Sequence, residues 1–492
     1  MALALALVMG CAMASEISSD AKIREILPEY EKYVQVAMEE FQVPGLAIGI
    51  VEGDRLVYAK GFGAKEVNGT DPIAPSTIFQ IGSTTKAFGA ALLATQVDEG
   101  KLKWDDKVID YLPEFRMYDP WVTREFTITD MLSHRSGLPD HFGDVLQVLK
   151  YNSSLMIKAL RYAKPVTGFR TGYAYQNLEY IAAGRLTEKL TGKTWNESIN
   201  ENIFAPLEMS NSSVDLESFL RSKDKAFLHR KVNGTVQAIP MDWKYMDWIY
   251  LSGPAGAINS NIYDMSRWVM MQLNNGTYKG RQIISENNIK YMQAPKTIMA
   301  PGSYYCLGWI YKESKPYPII NHNGGTIGHG SAVYFVPQAK VGIVILSNIF
   351  PSAVLPDLLA MKFLDMYFSS KSPDYMAMGH KFENLTEETD SGGVNFTRLQ
   401  SSPPLPLDSY EGNYTNDIFG NLKIKAENGI LVTTIGPEKT QIELKPWNRD
   451  TFSIFIPDFP EKGGFASFQV GPDGKATSLD IGGIIDSKFE KV

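Results

Sequence analysis

Cysteine is nearly absent from this chain: of 492 residues only Cys11 and Cys306 are cysteines. Cys11 falls in an apolar leader, so the chain that follows has no pair with which to close an internal disulfide. That excludes the small disulfide-stapled class and leaves core burial as the source of stability, which a chain of this size can supply. Cys306 sits in an apolar context, Tyr304-Tyr305-Cys306-Leu307-Gly308-Trp309, and reads as a buried small hydrophobe. Histidine is scarce too, with six in the chain, and no His-x-His pair or Cys/His cluster occurs. A metal site and, more broadly, a cofactor are therefore not expected. No Lys/Arg cluster stands out and the formal charge is -7, which argues against a nucleic-acid partner.

Long apolar runs are also missing, apart from MALALALVMGCAMAS at the start. That run falls short of a bilayer span. It ends in the small-x-small pattern Ala12-Met13-Ala14 that signal peptidase cleaves before Ser15. Residues 1–14 are read as a signal peptide, although no Lys or Arg precedes Lys22. The expected location is secreted and extracellular, with no membrane association once the leader is removed.

What is abundant is the Asn-x-Ser/Thr sequon. Nine occur, at Asn68, Asn152, Asn196, Asn211, Asn233, Asn275, Asn384, Asn395 and Asn413, where composition alone would give about three. The excess points to a eukaryotic glycoprotein.

The chain divides by pattern. An amphipathic helix is expected from about Ile23 to Phe41, followed by a β-hairpin made of Leu46 to Val51 and Leu56 to Tyr58. Residues 79 to 100 then read as a β-type run leading into a buried helix that stops at Gly100. The middle, roughly Thr127 to Arg281, is mainly helical. Strands return at Ala332 to Val336 and Val341 to Leu346, so a sheet is assembled from both ends of one domain with helices inserted between. The expected organisation is a hydrolase domain over 15–370, a Ser/Pro/Gly-rich linker over 371–407 and a small β-barrel-like domain over 408–492. The last is expected to be separable from the first and to supply no catalytic group.

Three tetrapeptides have the form Ser-x-x-Lys, which places a hydroxyl and an amine one helical turn apart on the same face. Ser19/Lys22 and Ser222/Lys225 lie in polar stretches. Only Ser83/Lys86 follows a β-type run, Ile78-Phe79-Gln80-Ile81-Gly82, and opens a buried helix. A buried lysine has its charge disfavoured and can take a proton from serine. Further along stand Tyr175-Gln176-Asn177 and His322-Asn323-Gly324; each triplet type recurs, at Tyr414-Thr415-Asn416 and His141-Phe142-Gly143, and neither is specific alone.

Ser83-Thr84-Thr85-Lys86, Tyr175-Gln176-Asn177 and His322-Asn323-Gly324, in that order, resemble the three motifs of the serine β-lactamase and penicillin-binding protein family, nearest its class C, esterase and animal β-lactamase-like branches. The stretches Ile128 to Pro139, Ser252 to Gly256 and His322 to Gly328 look like further signatures of it. The resemblance, over about residues 25 to 365, implies a mixed α/β (α+β) fold: a β-lactamase/transpeptidase-like antiparallel sheet flanked by helices with a helical insert, plus the small C-terminal all-β domain.

It also implies roles. Ser83 would be the nucleophile, with Lys86 and Tyr175 handling its proton, and Asn177, His322, Gly324 and Gly325 would contact the substrate. The backbone N–H groups of Ser83 and Gly325 would receive the oxyanion. His134 is expected to be structural. His322 stands where bacterial relatives hold a lysine, and with an ordinary pKa near 6.5 it would lose its charge across neutral pH. Gln176 and Leu178 also depart from the common pattern, which speaks against fast β-lactam deacylation. The function implied is a secreted serine hydrolase acting through an acyl-enzyme on a small-molecule or peptide ester or amide. The alternative is an extracellular-matrix structural glycoprotein, for example of a calcified shell, that keeps the fold and has matrix partners.

Overall fold

The computed structural model describes residues 19–232, 234–350, 354–390, 402–457, 459, 464–483, 485 and 487–492. The leader over 1–14 and the sequons at Asn233 and Asn395 lie outside them. Among the described residues no helix is long and apolar enough to cross a membrane.

An antiparallel sheet of eight strands forms the frame. Two strands come from the N-terminal side, β1 (Gly45–Glu52) and β2 (Arg55–Gly63). Six come from far along the chain: β3 (Thr297–Ala300), β4 (Ser303–Tyr305), β5 (Ile310–Lys312), β6 (Ile319–Gly325), β7 (Gly330–Val336) and β8 (Val341–Ser347). Their spatial order is β2-β1-β8-β7-β6-β5-β4-β3, so β1 pairs with β8 and closes the sheet from both ends of the domain. Because strand side chains alternate, Leu46, Ile48, Ile50, Ile343 and Ile345 enter one apolar layer while Ala47, Val51, Val344 and Leu346 enter the other. Both faces are covered, which is why these strands read as continuous apolar runs.

On one face lie α1 (Ser19–Glu40) and, from the end of the domain, a helix over Val354–Phe368; Tyr30 of α1 donates its hydroxyl hydrogen to the Leu359 carbonyl at 3.0 Å. The other face carries the insert between β2 and β3, with α2 (Thr85–Asp98), α3 (Asn177–Thr191) and α4 (Ile262–Leu273). Helix α2 is buried on nearly every side, and its Phe88 stacks on Trp268 of α4 at 3.8 Å between ring centres. Gly100, in the left-handed region at φ 70°, follows the end of α2 as expected.

The helix over Val354–Phe368, α5, closes the hydrolase domain; the segment read as a linker, 371–407, differs in part, since Tyr375–Asp390 form a further helix, α6. Tyr375 is buried and donates to Asp365 Oδ2 at 2.7 Å, and His380 stacks on Phe41 of α1 at 4.8 Å. The Ser/Pro/Gly bias lies further on, so averaging over the whole stretch hid an apolar docking edge.

The C-terminal part is a closed eight-stranded barrel, β9 (Gly412–Asn416) through β10 (Gly420–Glu427), β11 (Ile430–Ile435), β12 (Thr440–Asn448), β13 (Thr451–Phe455), β14 (Gly464–Val470) and β15 (Ala476–Gly483) to β16 (Ser487–Lys491), which pairs back onto β9. Closure removes the exposed edges of a small sheet. The barrel is not detached. Tyr151 donates to the Phe419 carbonyl at 2.9 Å, Lys150 pairs with Glu438 at 3.4 Å, and the Phe459 ring packs edge-on to Tyr245 at 5.3 Å. One apolar core runs from the hydrolase domain into the barrel without a break, a closer union than the expected separable domain.

Candidate active site

The turn that delivers Ser83 is set by its neighbours. Strand-like Phe79-Gln80 ends, Gly82 adopts φ 51°, and Gly82–Thr84 form a single 3-10 turn ahead of α2. A Cβ on Gly82 would lie 2.7 Å from the Gly325 nitrogen and 2.6 Å from its carbonyl oxygen. Glycine there meets two demands at once, the left-handed backbone and the approach of the end of β6. The Ile81 carbonyl is pinned by two hydroxyls, Ser331 at 2.7 Å and Thr84 at 2.8 Å. Ser83 is thereby held against the end of the third motif, partly open to solvent.

Lys86, one turn on, has no exposed surface. Its Nζ lies 3.3 Å from Ser83 Oγ, 2.6 Å from Asn177 Oδ1 and 2.8 Å from the Ala255 carbonyl. Burial lowers its pKa to about 7, with the Asp144 carboxylate pulling the other way. Tyr175 presents its ring 4.6 Å from the same amine, with its hydroxyl beside Ser83. Burial holds the Tyr175 phenol well above its ordinary range, so it stands neutral and protonated.

The competing matches fall away. Lys225 donates to the Ser222 carbonyl, not the hydroxyl, at 2.8 Å. Tyr414 lies in barrel strand β9 with its hydroxyl on the Tyr410 carbonyl at 2.7 Å. Cys306 is buried, and its thiol is pushed up to about 12 by that burial. Among the described residues no group of three or more His, Cys, Asp or Glu side chains could hold a metal ion.

His322 requires a correction. It is 2% exposed, with Nδ1 at 2.6 Å from the Asn323 carbonyl and Nε2 at 3.0 Å from the Tyr305 hydroxyl. The carbonyl can only accept, so Nδ1 carries the hydrogen and Nε2 accepts from Tyr305. Burial, then the nearby Lys86, lowers its pKa to about 3. The charge expected to titrate across neutral pH is absent, because the ring is enclosed between strands instead of facing solvent. Asn323 donates to buried Asp357 Oδ2 at 2.8 Å, which ties β6 to α5.

His134 packs behind the site. It is buried, its Nδ1 accepts from the Gln176 backbone N–H at 3.1 Å, and its ring lies 4.5 Å from Tyr175 and 4.4 Å from Tyr305. Two residues went unread in the sequence. Asp144 Oδ2 accepts from Asn177 Nδ2 at 2.8 Å and pairs with His141 Nδ1 at 2.7 Å. His141 was visible only as a stray His-x-Gly, and Asp144 carries no motif at all.

Comparison with known proteins agrees with this geometry. The β-lactamase family matches residues 30–362, and a domain of unknown function, DUF3471, matches residues 397–491. An unguisins hydrolase of Aspergillus campestris is 26% identical over 484 residues, covering 92% of this chain and 89% of its own length. Penicillin-binding protein 4 of Amycolatopsis lactamdurans is 28% identical over 321 residues, covering 63% of this chain and 82% of its own. The octameric penicillin-binding protein homologue from Pyrococcus abyssi shares the fold with a TM-score of 0.63 at 21% identity, covering 94% of this chain and 100% of that one. With its serine, buried lysine and tyrosine converging at the start of α2 and the family match spanning most of its length, this chain belongs to the serine β-lactamase and penicillin-binding protein family.

Proposed function

We propose that the protein is a secreted hydrolase that acylates Ser83 with an ester, amide or peptide substrate. The observation that carries this is the fully enclosed Lys86 amine beside Ser83 Oγ, with its pKa lowered to about 7. An amine near neutrality offers a lone pair to the serine proton, which an exposed lysine would not do at pH 7. Attack by Ser83 Oγ on the acyl carbonyl forms the new C–O bond as the proton passes to Lys86. The neutral Tyr175 phenol then passes its proton to the departing oxygen or nitrogen and recovers one from Lys86. Ser83 and Gly325 N–H groups receive the oxyanion and Asn177 orients the substrate; Gly324, expected to contact the substrate, is buried, and its missing Cβ instead makes room for the Ile81 carbonyl and the Ser83 turn.

The third motif brings no cation, since His322 is buried and neutral; its part is to hold the end of β6. Neutral esters and amides therefore fit better than substrates that need their carboxylate recognised there. The hydrolase named among the relatives matches nearly the whole chain, barrel included, which supports hydrolysis as the outcome. Secretion is supported by the sequons: Asn68, Asn152, Asn196, Asn211, Asn384 and Asn413 are exposed, and Asn275 is half-buried.

A fluorophosphonate probe tests the assignment. Wild type should label, Ser83→Ala should abolish labelling, and Ser19→Ala and Ser222→Ala should leave it intact. Labelling that survives Ser83→Ala overturns the mechanism.

A further inference from the structure

Asp144 connects the rim of the site to its base. Its Oδ2 is shared by His141 Nδ1 at 2.7 Å and Asn177 Nδ2 at 2.8 Å, while Oδ1 is buried without a hydrogen-bond partner. Asn177 carries the contact inward, its Oδ1 accepting from Lys86 Nζ at 2.6 Å. Both ends of that amide are thus dictated. A flipped amide would set its NH2 against the amine and its oxygen against the carboxylate, so the charge on Asp144 selects the orientation that serves Lys86. His141 closes the series at the surface, more than half exposed, with its ring 5.0 Å from Tyr175.

We propose that His141 and Asp144 form a positioning couple that orients Asn177 and, through the charge they jointly carry, sets how readily Lys86 takes the proton of Ser83. The proposal rests on the acyl-enzyme reading above. Neither residue touches the reacting atoms; both act through Asn177 and through the field at the amine. The Asp144 carboxylate favours the protonated amine, against the burial that disfavours it. A protonated His141 offsets that carboxylate and moves the balance back towards the free amine. The groups facing His141 are Asp144, Asp140 at 3.9 Å from Nε2, Tyr175 and, across the site, Lys86 and His134. Burial alone would lower the His141 pKa, but the hydrogen bond and charge of Asp144, with Asp140, raise it. Its titration is therefore moved towards that of Lys86, and with Asp144 between them the two are expected to titrate as a coupled pair.

The experiment is the pH profile of p-nitrophenyl acetate hydrolysis and of fluorophosphonate labelling by the full chain, each variant scaled to its own high-pH plateau. Asp144→Asn keeps an acceptor for Asn177 but removes the charge, so the acid limb should move to lower pH and the scaled rate at pH 6 should rise about tenfold. His141→Gln removes the cation, so the limb should move to higher pH and the scaled rate at pH 6 should fall about fivefold. His141→Lys should bring it back. Residues that merely held the loop together would lower the plateau without moving either limb. Limbs that stay in place, or move the same way in both variants, overturn the couple while the Ser83 assignment stands; should Asp144→Asn not fold, the direction of the His141→Gln limb decides. A wild type that neither labels nor hydrolyses overturns the Ser83 reading and this proposal with it.

Discussion

The hydrolase domain and the barrel are built from similar apolar residues, yet they treat polarity inside the core in opposite ways. The large domain buries Lys86, Asp130, His134, Glu179, Asp264, His322, His329 and Asp357. Among the described residues of the barrel the buried polar side chains are Thr433 and Ser478, set among Tyr410, Tyr414, Leu422, Phe452, Leu479 and Phe489. Burying an ionisable group costs free energy unless it is partnered. A domain that carries many of them has been shaped by something other than stability, and Lys86, His134 and His322 gather around Ser83 and Tyr175. Among its described residues the barrel carries no such cluster. Its aromatic core is what an eight-stranded closure of this size needs to fold.

The sharpest way to break this comparison is a pair of substitutions, one in each core. Lys86→Met should lower the labelling rate by about a thousandfold or more while shifting stability by no more than about 2 kcal/mol, since an apolar chain replaces an amine that is costly to bury. Phe489→Ala, in the barrel, should do the reverse, costing about 3–5 kcal/mol in urea unfolding but leaving the rate per folded molecule within about twofold. A Phe489→Ala protein that is stable but inactive would show that the barrel contributes to chemistry.

A smaller effect should come from Asp357, which receives Tyr334 at 2.6 Å and Asn323 at 2.8 Å. Burial raises its pKa to about 6, against the lowering by those two hydrogen bonds. The folded-state value lies above the unfolded one, so its contribution to stability is fully present below about pH 4 and is lost as pH rises through 6. Asp357→Asn should remove that slope, and the stability difference between variant and wild type should change in favour of the variant by about 2 kcal/mol between pH 4 and pH 7. Urea melts at several pH values measure this; a constant difference would show that Asp357 is charged throughout.

The smallest effect expected is at His322. Its pKa near 3 keeps it neutral, so KM for a carboxylate-bearing ester and for its neutral amide analogue should each vary by less than about twofold between pH 6 and pH 8. A rise in KM confined to the carboxylate substrate would restore the charge-recognition role.

Much of the fold was legible because its signals are local. The hairpin of β1 and β2, the buried helix ending at Gly100 and the β7–β8 hairpin each follow from alternation, apolar runs and turn residues. The Ser83/Lys86 pair was legible for the same reason, since two residues three apart meet on any helix. Helix α6 was missed because its docking edge on Phe41 and Asp365 is a property of partners elsewhere in the chain. The state of His322 was missed because a single strand histidine can face either way, and only the covering by Tyr305 settles it.

By itself, then, the sequence determined the residue types of the site, their order and the strand-to-turn-to-helix setting of Ser83, because these depend on neighbours within one or two turns. The tertiary structure alone decided which groups are charged. Lys86 near neutrality, a protonated Tyr175, a neutral His322 and the attachment of Asp144 to Asn177 all arise when segments distant in the chain enclose one volume, and the free energy of an ion there depends on everything that surrounds it.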